Sequence, residues 1–126
     1  MKKMFLFFSH RLTYEQEMDA RESFFVEEFI YLPKELQEKW SNVPPELEDL
    51  SEYALLFFSF LEKNAKKGDF ALIQGDFGLT YKMVNFAKSI GVIPVYATTK
   101  RVVKEIKNGD KIIKQSQFKH IRFRKY

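Results

Sequence analysis

At 126 residues and 45% hydrophobic content, the chain suits one domain with a real core. It has no cysteine, which excludes disulfides, thiolate metal sites and a cysteine nucleophile, and its two histidines, His10 and His120, leave no basis for a histidine-rich zinc site. The net charge of +4 hides a division: Met1–Thr99 holds 11 Lys/Arg against 15 Asp/Glu, and Lys100–Tyr126 holds 10 against 2.

Met4 to Phe8 is a fully apolar strand stopped by Ser9 and His10. The basic start and short apolar run of MKKMFLFFSH lead into charged, helix-like sequence with no small-residue cleavage site. The expectation is a cytoplasmic protein without a signal peptide. Thr13 with Gln16 three residues on is a capping-box pattern, opening a helix to about Ser23. Val26 to Leu32 reads as a second strand, ended by Pro33. From there to Lys67 the pattern is helical in two pieces, divided at Asn42, Val43, Pro44 and Pro45. Leu47, Leu50, Ala54, Phe57 and Leu61 form one apolar stripe, which reads as core or dimer contact, and no stretch is long enough to cross a bilayer.

Phe70 to Ile73 forms a short run buried on both faces, as parallel strands under helices are. Gly75 and Gly78 follow, and Leu79, Met83, Phe86 and Ile90 then recur at helical spacing up to a cap at Gly91. Such a turn aims free backbone N–H groups and the positive end of a helix at one point, a seat for an anion such as phosphate. Packing alone is the competing explanation for the two glycines. Val92 to Ala97 is another buried strand, and Asn108-Gly109 marks a hairpin between Val102–Lys107 and Lys111–Gln117. In the last segment His120, Arg122 and Arg124 alternate with Ile121 and Phe123, which places the three on one strand face.

Four strands separated by helices predict an α/β domain, a Rossmann-like and mostly parallel sheet flanked by helices. The single domain spans 1–126: a parallel part over 1–99 and a basic antiparallel hairpin extension over 100–126. The apolar residues spread through that extension should fold it and hold its charges in place, where they can gather phosphates.

Ligands of open parallel sheets bind beyond the carboxyl ends of the strands. Three loops are predicted there: Ser9-His10, Gln74 to Gly78, and Thr98-Thr99-Lys100-Arg101. Together they offer hydroxyls, amides, a glycine cradle and two cations, which suits a phosphodiester and a ribose. Asp76 reads as a helix cap, with contact to an adenine amino group or ribose hydroxyl as the alternative. Phe77 and Tyr81 could stack on a base or pack in the core, Thr80 and Gln74 complete the binding set, and His120 is either part of it or an exposed strand residue. Asp69 and Asp76 lie at opposite ends of one strand, so no carboxylate pair is placed for magnesium, and no cofactor is expected.

The segments LFFSHRLTYEQ, WSNVPPELEDL, LIQGDFGLTY with VNFA after it, PVYATTKR and FKHIRFRKY together resemble small stand-alone accessory proteins of type III CRISPR systems, ring nucleases of the CARF superfamily. The likeness covers nearly the whole chain. It implies a homodimer that binds cyclic oligoadenylate, most often the four-membered ring, across its two-fold axis. It also implies metal-free cleavage to linear products through the substrate's own 2′-hydroxyl. On that resemblance Ser9 orients the ribose and Lys100 stabilises charge; from the chemistry of the residues themselves, Arg101 can join Lys100 and His10 can move a proton. A non-catalytic sensor of the same ligand, a general RNA-binding or phosphate-binding protein and a plain structural domain are the alternatives.

Overall fold

The computed structural model covers residues 1–126. The elements run β1 (Lys2–Phe7), α1 (Tyr14–Phe24), β2 (Val26–Tyr31), α2 (Lys34–Ser41), α3 (Ser51–Asn64), β3 (Phe70–Ile73), α4 (Phe77–Ser89), β4 (Ile93–Asn108) and β5 (Lys111–Lys125). The sheet order is β2-β1-β3-β4-β5, parallel from β2 through β4, with β5 antiparallel to β4. The chain steps from β1 to β2 on one side and returns to β3 on the other, so the strand order reverses between β1 and β3. No helix is long and apolar enough to cross a membrane.

Period-two alternation divides the central strands between two cores. Phe5, Phe7, Ala71 and Ile73 face α2, α3 and α4 and meet Trp40, Phe57, Leu61, Leu79 and Met83. Met4, Leu6, Phe8, Phe70 and Leu72 face α1 and meet Ala20, Val95 and Phe123. Each large apolar side chain wholly removed from water here is worth about 1.5–3 kcal/mol, which favours the four-residue β3 as a buried strand despite its length.

Local signals fix the helix ends. Thr13 and Gln16 form the expected capping box, each side chain bonded to the other's backbone N–H at 3.2 and 2.9 Å. Gly91 takes φ +78° where α4 turns into β4, a left-handed conformation open to glycine at little cost.

The C-terminal region departs from expectation. Thr98 to Arg101 is not a loop: β4 runs unbroken from Ile93 to Asn108 and pairs with β5 along its length. The hairpin turn is Gly109-Asp110, with Asn108 and Lys111 paired and φ +68° at Gly109. β3 pairs with β4 only from Ile93 to Val95, so beyond the parallel sheet β4 and β5 continue as a two-stranded ribbon. From Thr99 to Asn108 that ribbon extends about 31 Å at about 3.4 Å per residue.

The alternation predicted for His120, Arg122 and Arg124 also fails, and the register shows why. Thr98 faces Arg122 but Thr99 faces His120, so Ile121 is an unpaired bulge residue. The extra residue carries His120 to the Phe123 side of β5, where the two rings are 4.8 Å apart. Arg124 lies on the other side, its guanidinium bonded to the Tyr96 hydroxyl at 2.9 Å.

Candidate functional site

The carboxyl ends of β1 and β3 meet in one hydrogen-bonded rim. Gln74 N–H donates to the Phe7 carbonyl at 2.9 Å, and the Gln74 side-chain oxygen accepts from Ala97 N–H at 2.6 Å. Gln74 therefore pairs with both neighbouring strands just where the β3 ladder ends. Helix α2 closes the rim from one side. Its Gln37 amide donates to the Phe8 carbonyl at 2.8 Å, the Trp40 indole to the Gln74 carbonyl at 3.1 Å, and the Ser41 hydroxyl to the Ser9 hydroxyl at 2.9 Å. Ser9, His10 and the Gln74–Gly78 turn thus share an edge.

Gln37, Trp40 and Ser41 belong to this rim, although the sequence reading gave them no role. Their spacing on α2 puts Gln37 and Ser41 one turn apart with Trp40 between, a pattern visible beforehand only as one helix among several.

The turn after β3 is built differently from the anion seat expected of it. The Asp76 side chain accepts from Leu79 N–H at 2.9 Å, so the chain's own carboxylate caps α4 and occupies its positive end. Gly75 is close-packed against protein: a Cβ there would stand 2.8 Å from the Trp40 indole nitrogen. At Gly78 a Cβ would meet nothing nearer than 3.5 Å. Packing therefore accounts for the first glycine, and neither is shown to cradle a ligand.

Beside the turn is a groove of about 450 Å³ lined by Val43, Pro44, Pro45, Leu47, Glu48, Asp49, Leu50, Asp76, Gly78 and Lys82. Three carboxylates face one ammonium there. Hydrogen bonds from the Ser51 hydroxyl and backbone hold the Asp49 carboxyl below the usual carboxylate range, against the opposing effect of desolvation and with help from Lys82. Such a groove suits the amino edge of a base and disfavours a bare phosphate.

The aromatic candidates stand out from the surface. Phe77 is 95% exposed and Tyr81 70% exposed, so neither is core. Thr80, on the same helix, has a buried hydroxyl without a partner.

The remaining candidates lie on the β4–β5 ribbon. The Thr98 hydroxyl donates to the Arg122 carbonyl at 2.8 Å and is committed to the bulge. Thr99 and Lys100 are exposed, and Lys100 sits about 10 Å past the Ala97 anchor by strand rise. The Arg101 guanidinium is bonded to the Ser116 hydroxyl at 2.7 and 3.0 Å. His120 is not a rim residue: its ring is bonded to Asp19 of α1. Arg122 and Arg124 line a separate groove of about 630 Å³ along β5 that includes neither Ser9 nor the Gln74–Gly78 turn. Over that edge Tyr126, whose hydroxyl donates to the Ile73 carbonyl, packs its ring 4.9 Å from Tyr96. Burial, with a smaller contribution from Tyr96, pushes the Tyr126 phenol above its ordinary value, so it stays a donor at neutral pH.

Fold and rim define an α/β domain with a polar, hydrogen-bonded rim where the strand order reverses and a basic antiparallel ribbon rising beside it. Residues 2–124 match the family described as "Uncharacterized protein MJ1673 family", and the chain belongs to that family. A curated relative, "Uncharacterized protein MJ1673" of Methanocaldococcus jannaschii, is 60% identical over 126 residues, which is all of this chain and 98% of the relative. No solved structure matches the chain.

Proposed function

We propose that the domain is a Rossmann-like, CARF-type module, that two copies enclose a cyclic oligoadenylate, the four-membered ring first, and that they cleave it without metal to linear products in the cytoplasm, switching off type III CRISPR signalling. The observation that carries this reading is the junction of the Ser9-His10 loop and the Gln74–Phe77 turn through Trp40 and Ser41. It places hydroxyls, amides and an exposed aromatic ring on one strand-end edge. The five sequence segments that resemble the ring nucleases include both halves of that junction.

Position supports the roles of Ser9, Phe77 and Asp76, whereas those of Lys100 and Arg101 rest on the sequence. Ser9, held by Ser41, orients a ribose, and Phe77 offers a stacking face. The acidic groove by Asp76 receives an adenine amino group. In the reaction the ribose 2′-oxygen attacks the adjacent phosphorus, the bond to the 5′-oxygen breaks, and a 2′,3′-cyclic phosphate remains. His10 takes the 2′-hydroxyl proton, water protonates the leaving oxygen, and Lys100 and Arg101 stand over the phosphorane charge.

The test is incubation of the protein with cyclic tetra- and hexa-adenylate, with and without a chelator, followed by chromatography. Linear products ending in a cyclic phosphate, formed equally with chelator, are the expected result. A ring bound but recovered intact would make the protein a sensor. Equal competition by linear oligoadenylate would make it a general RNA binder and overturn the reading.

A further inference from the structure

The part of the ribbon beyond Thr99 is a surface looking for a counterpart. A two-stranded ribbon alone is marginal in water, and this one exposes Val103, Ile112 and Phe118 on one face and Ile106 and Ile113 on the other. Its charge is as lopsided as its exposure. Thr99–Lys119 holds seven Lys/Arg against Glu105 and Asp110. Pairing one ribbon with another would set like charges side by side, which is destabilising.

The complement is on the body of the same chain. From Trp40 to Glu62 there is no Lys or Arg, while Glu46, Glu48, Asp49, Glu52 and Glu62 are present. Within that segment Leu47, Leu55 and Leu56 are exposed, and the two α3 leucines border a groove of about 570 Å³ that also takes in Glu52 and, at its far end, Lys63. Aliphatic side chains among cations on the ribbon thus have a counterpart of leucines among carboxylates on α3 and the loop before it.

We propose that the distal ribbon of one copy docks on the acidic, leucine-bearing face of α3 in a second copy, so that two chains clasp each other reciprocally. Leu47, Glu48 and Asp49 also line the groove assigned to the adenine amino group, so the clasp is placed on Glu52, Leu55, Leu56 and Glu62 of α3, none of which lines that groove. Complementary charge steers the two copies together, and the buried aliphatic groups hold them. A nucleic acid would satisfy the lysines but leave Val103, Ile112 and Phe118 in water, so a protein face is the better match for that side of the ribbon.

Sedimentation of the full chain tests the clasp. The Lys107→Glu, Lys114→Glu double variant, both on the Val103 face, is expected to weaken the dimer about tenfold or more, and adding Glu52→Lys with Glu62→Lys to restore it. Since the chain lacks cysteine, Val103→Cys and Leu55→Cys proteins can be mixed and oxidised. A disulfide between the two different variants is expected, and neither substitution touches a buried core position. A monomeric wild type, a dimer indifferent to the charge reversals, or absence of the mixed disulfide would each overturn the proposal. So would a ribbon whose reversals abolish only binding to duplex RNA. A dimer indifferent to the reversals ends the clasp and leaves the ring reading standing, whereas a monomeric wild type would end both.

Discussion

His120 on β5 and Asp19 on α1 are 101 residues apart in the chain and 2.7 Å apart in the fold, ring Nε2 to carboxylate Oδ2. The His120 side chain is 6% exposed and Asp19 22%, so the bond fastens α1 to the root of the ribbon in a partly dry setting. The other ring nitrogen of His120 is buried without a partner, which makes the bond to Asp19 the one polar anchor of that ring. Asp19→Ala should therefore cost about 1–3 kcal/mol of stability, measured by denaturant unfolding at neutral pH.

The same carboxylate sets a pH dependence. Burial opposes its charge, but hydrogen bonds from Ser23 and His120, the attraction to His120 and the Phe123 backbone together outweigh burial and lower its pKa below the ordinary 3.8. A lowered folded-state value means stability present above the unfolded value and lost as pH falls through the folded one. The gap in unfolding free energy between wild type and Asp19→Asn should close as pH is taken below about 4. A gap that persists undiminished in acid would show that the carboxylate's charge is not what matters.

Gly75 and Gly78 should respond oppositely to alanine. A Cβ at Gly75 would collide with the indole of Trp40, the chain's sole tryptophan, and displace its bond to the Gln74 carbonyl. Gly75→Ala is expected to cost about 1–3 kcal/mol and to shift tryptophan emission. Gly78, in the first turn of α4, where a methyl would make ordinary contacts with Asp76 and Leu50 at 3.5 Å, should be neutral or gain about 0.5–1 kcal/mol on the same change.

Asp76 separates capping from charge. Asp76→Ala should lose about 1 kcal/mol by uncapping α4, while Asp76→Ser keeps an oxygen for Leu79 N–H and most of that stability. If the carboxylate also receives a base, Asp76→Ser should weaken ring binding in calorimetry with an unchanged melting temperature.

Lys100 is exposed on the ribbon and belongs to neither core. Lys100→Ala should leave the melting temperature unchanged and, on the proposed ring-cleavage reading, lower turnover by about two to three orders of magnitude. Wild-type turnover by the variant would remove Lys100 from the reaction.

Much of the parallel half was legible because its signals are local. The Thr13–Gln16 box, the stop at Pro33, the all-apolar FALI run and the cap at Gly91 each act within a few residues. The site was harder. Ser9 and the Gln74–Gly78 turn could be placed at one edge by topology, but what Gly75 avoids is Trp40, a residue 35 positions earlier that no local pattern connects to it. The ribbon was misjudged for a related reason. Thr98-Thr99-Lys100-Arg101 looks like a polar loop, yet it is held extended by partners on β5 from Phe118 to Arg122. Alternation likewise misassigned His120, because an inserted residue leaves no mark in hydrophobic pattern.

That inserted residue, Ile121, also decides where an arm points. Cross-strand couples resume at Thr99 and His120, so deleting Ile121 would leave every later couple intact and keep His120 on the Phe123 side. Only the added local twist would go, and with it the heading on which the two strands leave the sheet. Reach is encoded by strand length and bearing by one unpaired isoleucine, so either can be changed without touching the other.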